Sequence, residues 1–152
     1  MSDGTLVNQT RNQMAVDYDN AKIFIWNNRY SKANLVNTTG AELTLVAGTV
    51  LGRISATGKI AVMKSASVDG SQLPIGILAE NITLAIGANA DLNFCVAGDV
   101  ANEEVVFDGA DTVLTEITLS TDDAITKIYG DMIADLGIRL VSGTELTGYD
   151  NA

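Results

Sequence analysis

The feature that most constrains this chain is a run of short apolar segments punctuated by glycine between Ala47 and Val100. It reads Ala-Gly-Thr-Val-Leu-Gly-Arg-Ile (47–54), Thr-Gly-Lys-Ile (57–60), Asp-Gly-Ser-Gln-Leu-Pro-Ile-Gly-Ile-Leu-Ala-Glu-Asn-Ile (69–82) and Val-Ala-Gly-Asp-Val (96–100). Glycine belongs where an extended segment bends or where a neighbouring backbone comes close. Gly48, Gly52, Gly76 and Gly98 are therefore expected as structural turn residues. The Val, Ile and Leu between them have strand propensity. Together these features predict a mainly β, α+β chain: a small barrel- or sandwich-like body with one amphipathic helix and an extended N-terminal arm.

The flanking segments set the boundaries. Residues 1–20 are polar and poor in aliphatic side chains, so they cannot build a core of their own. Lys22 to Trp26 reads as a strand, Asn27-Asn28-Arg29 as a turn, and Tyr30 to Val36 as another extended piece. Thr38 to Ala41 is a turn, Ala56 to Lys59 a hairpin turn, and Ser67 to Gln72 a polar loop. Pro74 suits the start of a strand running to Ala79. Ile82–Ile86 is a further strand candidate, broken by Gly87-Ala88-Asn89. In Ala90–Ala97, Leu92, Phe94 and Val96 share one face before a turn at Gly98-Asp99. Val105-Val106-Phe107 reads as a short strand.

One segment has a helical period. Ser120-Thr121-Asp122-Asp123 supplies a cap with carboxylates in the first turn, and Ile125, Ile128, Met132, Ile133 and Leu136 follow at helical spacing. Gly137 is the C′ glycine, and Ile138–Val141 is a last strand. The organisation expected is an arm over 1–34, a β-rich domain over 35–141 with its helix at 121–136, and a polar tail over 142–152.

Chemistry is constrained by what the chain lacks. It has no histidine and one cysteine, Cys95, so neither a histidine-based nucleophilic dyad nor an intrachain disulfide can form. Cys95 lies in an apolar strand and reads as a small buried hydrophobe. A zinc ligand set is missing too. Asp99, Glu103, Asp108 and Asp111 could be imagined as a calcium site, and Asp99, Glu103 or Asp108 as the acid of an enzyme, but they lack EF-hand spacing, and turn positions select aspartate for backbone reasons. The adjacent Glu103 and Glu104 would point to opposite faces of a strand. Gly48 to Gly52 is not a phosphate loop, since Arg53-Ile54 follows it. No enzyme activity, cofactor or metal is expected.

With 19 acidic and 9 basic residues the formal charge is −10, and the basic residues are scattered. Such a surface repels phosphate, so neither direct nucleic-acid binding nor attraction to an anionic membrane is expected. The start Met-Ser-Asp-Gly-Thr-Leu lacks the basic and apolar regions of a signal peptide, so synthesis in a host cytoplasm is expected. The aromatics cluster instead: Tyr18, Phe24, Trp26 and Tyr30 fall where the chain is least able to fold alone. Either they pack on the body or they anchor the arm to a partner.

The order of the pieces carries a resemblance. Gly-Thr-Val-Leu-Gly (48–52), Pro-Ile-Gly-Ile-Leu (74–78), Val-Ala-Gly-Asp-Val (96–100) and Ile-Ala-Asp-Leu-Gly-Ile-Arg-Leu-Val (133–141) make residues 43–141 resemble the lambda-type head decoration proteins of tailed bacteriophages. The resemblance implies a homotrimer on the outer face of an expanded icosahedral capsid, contacting the major capsid protein and resisting internal DNA pressure. It implies a virion location and no catalytic residue. In this family the N-terminal arm orders on the capsid through strand-like contacts. This chain has a longer, more aromatic N-terminal segment than the short members, and Met14, Val16, Tyr18, Ile23, Phe24 and Trp26 are its expected capsid-contact residues. The alternative reading is a trimeric virion fibre or surface glycan-binding module gripping a sugar through Trp26.

Overall fold

A computed structural model describes residues 23–120, 122 and 124–142. Half of the described residues are strand. In order come β1 (Phe24–Val36), β2 (Leu43–Leu45), β3 (Val50–Arg53), β4 (Ile60–Val62), β5 (Pro74–Leu78), β6 (Ile82–Leu84) and β7 (Asn89–Ala101). A 3-10 turn (Asn102–Glu104) leads on to β8 (Glu116–Ser120), β9 (Ile125–Ile128), helix α1 (Tyr129–Asp135) and β10 (Ile138–Val141). Strands β1-β4-β3-β5-β7 close into a five-stranded barrel, because β7 pairs back to β1. Strand β10 adds to β7 in parallel, while β2–β6 and β8–β9 form two small separate sheets.

The barrel closes unevenly. Strands β1 and β7 run antiparallel from Phe24↔Val100 to Val36↔Asn89. On its other side β1 meets β4 at one parallel rung, Leu35↔Ile60.

Adjacent apolar residues in the middle strands go to different cores. Val50, Ile77 and Cys95 join a cluster with Tyr129, Met132, Ile133 and Ile138. Their sequence neighbours Leu51, Leu78 and Phe94 join a second cluster with Leu35, Ile60 and Leu92. Successive side chains on a strand point to opposite faces, so β3, β5 and β7 are buried on both sides. That is why the sequence carries paired runs such as Val-Leu and Ile-Leu instead of clean apolar–polar alternation. Leu51, Ile77, Leu78 and Leu92 are fully buried, each favouring the fold by about 1.5–3 kcal/mol over an exposed position. The partial burial of Val96 beside Leu92 and Phe94 matches the face expected for that segment.

Several sequence expectations change. The helix spans 129–135, not 121–136, and the stretch before it is strand: Ile117↔Lys127 and Thr118↔Thr126 pair β8 with β9. Ile-Thr-Lys-Ile has strong β propensity, and a neighbouring hairpin partner outweighs its helical spacing. Of the expected cap, Ser120 ends β8 and Asp122 lies in a turn after it, whereas Thr121 and Asp123 lie outside the described residues. Gly137 does follow the helix with φ +100°, and its N–H bonds Ala134 O at 3.0 Å.

Two expected turns are strand interior: Asn27-Asn28-Arg29 lies within β1, and Gly98-Asp99 within β7. The long mutual ladder keeps both strands running, with register shifts absorbing the irregular residues. Consequently β1 crosses the expected boundary at residue 34, and residues 24–34 form part of the barrel wall. Residues 105–107 contribute a single bridge, Thr49↔Val106, rather than a strand.

Two buried polar groups lock the body. Asn37, 1% exposed, donates from Nδ2 to Ala41 O, Leu84 O and Ala85 O at 2.7, 3.0 and 3.1 Å. Its Oδ1 accepts from Thr39 N and Oγ1, tying the end of β1 to the β6–β7 turn. Tyr129 is fully buried, stacks on Phe107 and donates its hydroxyl to Gln72 O at 2.9 Å. Burial, with the nearby Asp111 carboxylate second, pushes the Tyr129 phenol up to about 12.

Replacing Asn37 by Ala strands these carbonyls and lowers stability by about 2–3 kcal/mol. Asn37→Asp costs at least as much, since an ionised carboxylate has no proton to donate. The measurement is the urea midpoint at constant slope. Because the folded Tyr129 pKa lies above its unfolded value, its neutral form contributes fully below pH 10. That contribution fades as the pH rises towards 12. Phenolate absorbance will show Tyr129 titrating late, at about 12, and Tyr129→Phe will remove that step along with that part of the alkaline destabilisation.

Candidate interaction surface

The first half of β1 combines an irregular backbone, an open edge and exposed aromatic surface. Register shifts fall between Phe24 and Trp26, Trp26 and Arg29, and Arg29 and Tyr30. Asn27 takes φ +52°, a left-handed conformation that asparagine tolerates better than most residues. Asn28 holds the bulge from below: its Nδ2 donates to Asp99 O at 3.0 Å and reaches Cys95 Sγ at 3.5 Å.

Gly98 makes the close approach possible. A Cβ there would stand 2.7 Å from Trp26 O, Asn27 O and Asn28 Cα, and its φ of +112° already excludes most side chains. Bulges re-aim side chains, and Trp26, facing Asp99 in register, is 71% exposed. Tyr30 is half exposed and meets Phe24 edge-on, ring centroids 5.8 Å apart. Burial, then the neighbouring Cys95, raises the Tyr30 phenol pKa. Burial likewise raises that of the Cys95 thiol, whose Sγ donates to Ala97 O at 3.1 Å. A thiol held protonated and enclosed is a packing group, not a nucleophile.

Among the described residues no second strand lies along the outer edge of β1 from Phe24 to Asn34, since β4 joins only at Leu35. Trp26, Asn27 and residues 29–32 are exposed along it. The strand bears Arg29 and Lys32 and no carboxylate, in a chain of net charge −10. An open edge with aromatic anchors and local positive charge suits an added strand: backbone groups supply affinity and side-chain pockets supply selectivity.

The expected contact residues divide accordingly. Trp26 is presented to solvent. Phe24 is 7% exposed and belongs to the core, held by its pairing with Val100; Ile23 is partly buried against the same core. Met14, Val16 and Tyr18 lie outside the described residues. Of the four expected glycines, Gly48 occupies the turn after β2 with φ +99°. Gly52 and Gly76 sit inside strands, where a Cβ would run into the Ser71 backbone or, at 2.6 Å, into Cys95 O. Sequence reasoning missed Asn28 by taking it for a turn residue. Its hydrogen bond to Asp99 O, 71 residues further along the chain, leaves no local signal.

The carboxylates weighed for chemistry do not converge as a site. Asp99 lies in β7 and Glu103 in the 3-10 turn. Asp111 accepts from Ser65 N and Oγ at 2.9 and 2.6 Å, clamping two loops together. Among the described residues no group of three potential metal-ligating side chains occurs, and no helix is long and apolar enough to cross a membrane.

Comparison with curated protein sequences finds no match for this chain. The sequence model of a protein family, the bacteriophage lambda head decoration protein D family, matches residues 20–122. That span runs from the start of β1 through β8, taking in the whole closed barrel. With most of its length matched and a β-rich barrel to go with it, the chain belongs to the bacteriophage lambda head decoration protein D family, whose members are structural proteins of the phage head.

Proposed function

We propose that the protein binds the outside of an expanded icosahedral phage capsid as a homotrimer and stabilises it against internal DNA pressure. Its partner in this reading is the major capsid protein. The observation that carries it is the exposed, bulged start of β1, where Trp26 stands beside an open strand edge directly after residues 1–22. The attachment surface is then the N-terminal arm continued by the edge of β1. Trp26 is the anchor, with Met14, Val16, Tyr18 and the exposed part of Ile23 as further contacts.

The energetics fit such an attachment. Ordering an arm costs about 1–2 kcal/mol per residue, so many backbone bonds and a few buried aromatic groups are needed to offset it. A trimer presents three such arms, and their effective concentration turns modest single contacts into lasting attachment. The net negative body keeps free protein soluble and away from packaged nucleic acid. Cytoplasmic synthesis, with no membrane or direct nucleic-acid partner, is part of the same reading.

Purified protein mixed with expanded, undecorated shells will bind saturably, and deletion of residues 1–20 will abolish binding. Full binding by the deletion variant would sink the arm mechanism. Trp26→Ala will weaken attachment by about thirtyfold or more, the loss of a hot-spot side chain worth ~2 kcal/mol, with the urea midpoint unchanged. Sedimentation of the free protein will give a trimer. A glycan-array signal lost in Trp26→Ala, without shell binding, would favour the fibre or glycan-binding alternative.

A further inference from the structure

A chemical feature lies in the loop between the 3-10 turn and β8. The chain contains three Asp-Gly steps, at 3–4, 69–70 and 108–109, and the first lies outside the described residues. At such a step the aspartate carboxyl can close on the next backbone nitrogen, because glycine has no side chain to block the approach. The two described steps carry the same chemistry in opposite surroundings.

Asp69-Gly70 is held at both reacting ends. Asp69 Oδ1 accepts from Ser71 N and Ser71 Oγ at 3.0 and 2.5 Å, and Gly70 N–H donates to Gln72 Oε1 at 2.8 Å. The backbone between them is pinned as well. Asp69 O accepts from Ser55 N at 2.9 Å, and a Cβ on Gly70 would stand 2.8 Å from Arg53 O. The bonds from Ser71 also hold the Asp69 carboxyl below the usual carboxylate range, so less of it carries the proton that ring closure consumes.

Asp108-Gly109 is free at both ends. Asp108, Gly109 and Ala110 are all exposed, and a Cβ on Gly109 would meet nothing within 4 Å. Gly109 takes φ +57° in a turn closed by Asp111 N to Asp108 O at 3.1 Å. Among the described residues nothing bonds the Asp108 carboxylate or the Gly109 N–H. The same turn sets the position of Asp111, whose carboxylate holds Ser65 N and Oγ.

We propose that Asp108-Gly109 is a site of spontaneous isoaspartate formation, and that the conversion releases Ser65 from Asp111. The Gly109 nitrogen attacks Cγ of the protonated Asp108 carboxyl. A C–N bond forms, and the carboxyl hydroxyl leaves with the amide proton as one water, giving a cyclic imide. Water then adds back at either imide carbonyl. Cleavage at the side-chain carbonyl restores aspartate; cleavage at the main-chain carbonyl leaves the chain running through Cγ. The net change is an isomerisation with no oxidant or reductant. It lengthens the backbone by one carbon inside the turn that places Asp111. The reaction needs no shell, trimer or enzyme, so it holds or fails independently of capsid attachment.

The test is to store the full-length protein in mildly acidic buffer, cut it after glutamate, and locate isoaspartate by electron-transfer fragmentation. Cleavage after Glu42, Glu80, Glu104 and Glu116 puts the two steps on separate peptides, 43–80 and 105–116. Isoaspartate will appear at Asp108 at least about tenfold faster than at Asp69, the factor set by one hydrogen bond to a charged group. In guanidinium-unfolded protein the two rates will converge, since the fold alone separates them. Ser71→Ala/Gln72→Ala will speed conversion at Asp69 in the folded protein. Converted protein will exchange the Ser65 amide faster, with rates in β7 unchanged. Equal rates at the two steps of the folded protein overturn the proposal, as does an Asp108 that converts only after unfolding. An Asp69 rate unmoved by the double variant overturns the account of its protection. An unchanged Ser65 rate in converted protein overturns the release from Asp111.

Discussion

The antiparallel ladder between β1 and β7 is the interaction on which the rest of this structure depends. It joins two thirteen-residue strands, closes the barrel, and fixes where the chain enters the body. Strand β7 also receives β5 at Phe94 and Cys95 and β10 from Gly98 to Ala101, so it works as the central beam. Without β1 on its flank, the cluster of Leu35, Leu51, Leu78, Leu92 and Phe94 would lose a wall. The opposite cluster, with Tyr129, Ile133 and Ile138, is sealed by α1 and β10. The barrel is thus a sheet with two buried faces, one turned inward on itself and one under the C-terminal helix and strand.

The same ladder explains why the entry point is irregular and exposed. Both strands must remain paired past polar residues that would otherwise turn, and the register shifts near Trp26 are the result. Gly98 and Asn28 make that accommodation possible from opposite strands, one by having no side chain and one by bonding Asp99 O. Among the described residues, the single rung to β4 leaves most of β1 with a free edge. Closure at Leu35 and openness before it are two consequences of one geometry, and they place a projecting tryptophan at the root of the N-terminal segment.

Much of this was legible in the sequence where the signal is local. The hairpin turn at Ala56–Lys59, the strand opened by Pro74, the glycine after the helix and the final strand 138–141 all follow from residue chemistry at short range. The paired apolar residues at 50–51 and 77–78 announce strands buried on both faces. What was not legible depends on partners far along the chain. Ile125 and Ile128 have helical spacing with Met132, yet β8 claims them for a hairpin. Asn27-Asn28 and Gly98-Asp99 each look like turns alone, but together they make a matched bulge. Phe24 and Trp26 look alike as aromatic anchors in sequence. Only the ladder decides that Phe24 turns into the core and Trp26 turns out.

The central claim is that attachment to a shell runs through the N-terminal segment and the open edge of β1. Its most direct test is a cryo-EM reconstruction of the protein bound to expanded shells. The account predicts shell density running beside residues 24–33 with the Trp26 side chain enclosed by it. A reconstruction in which that edge and Trp26 face solvent, while another face of the barrel meets the shell, would contradict it.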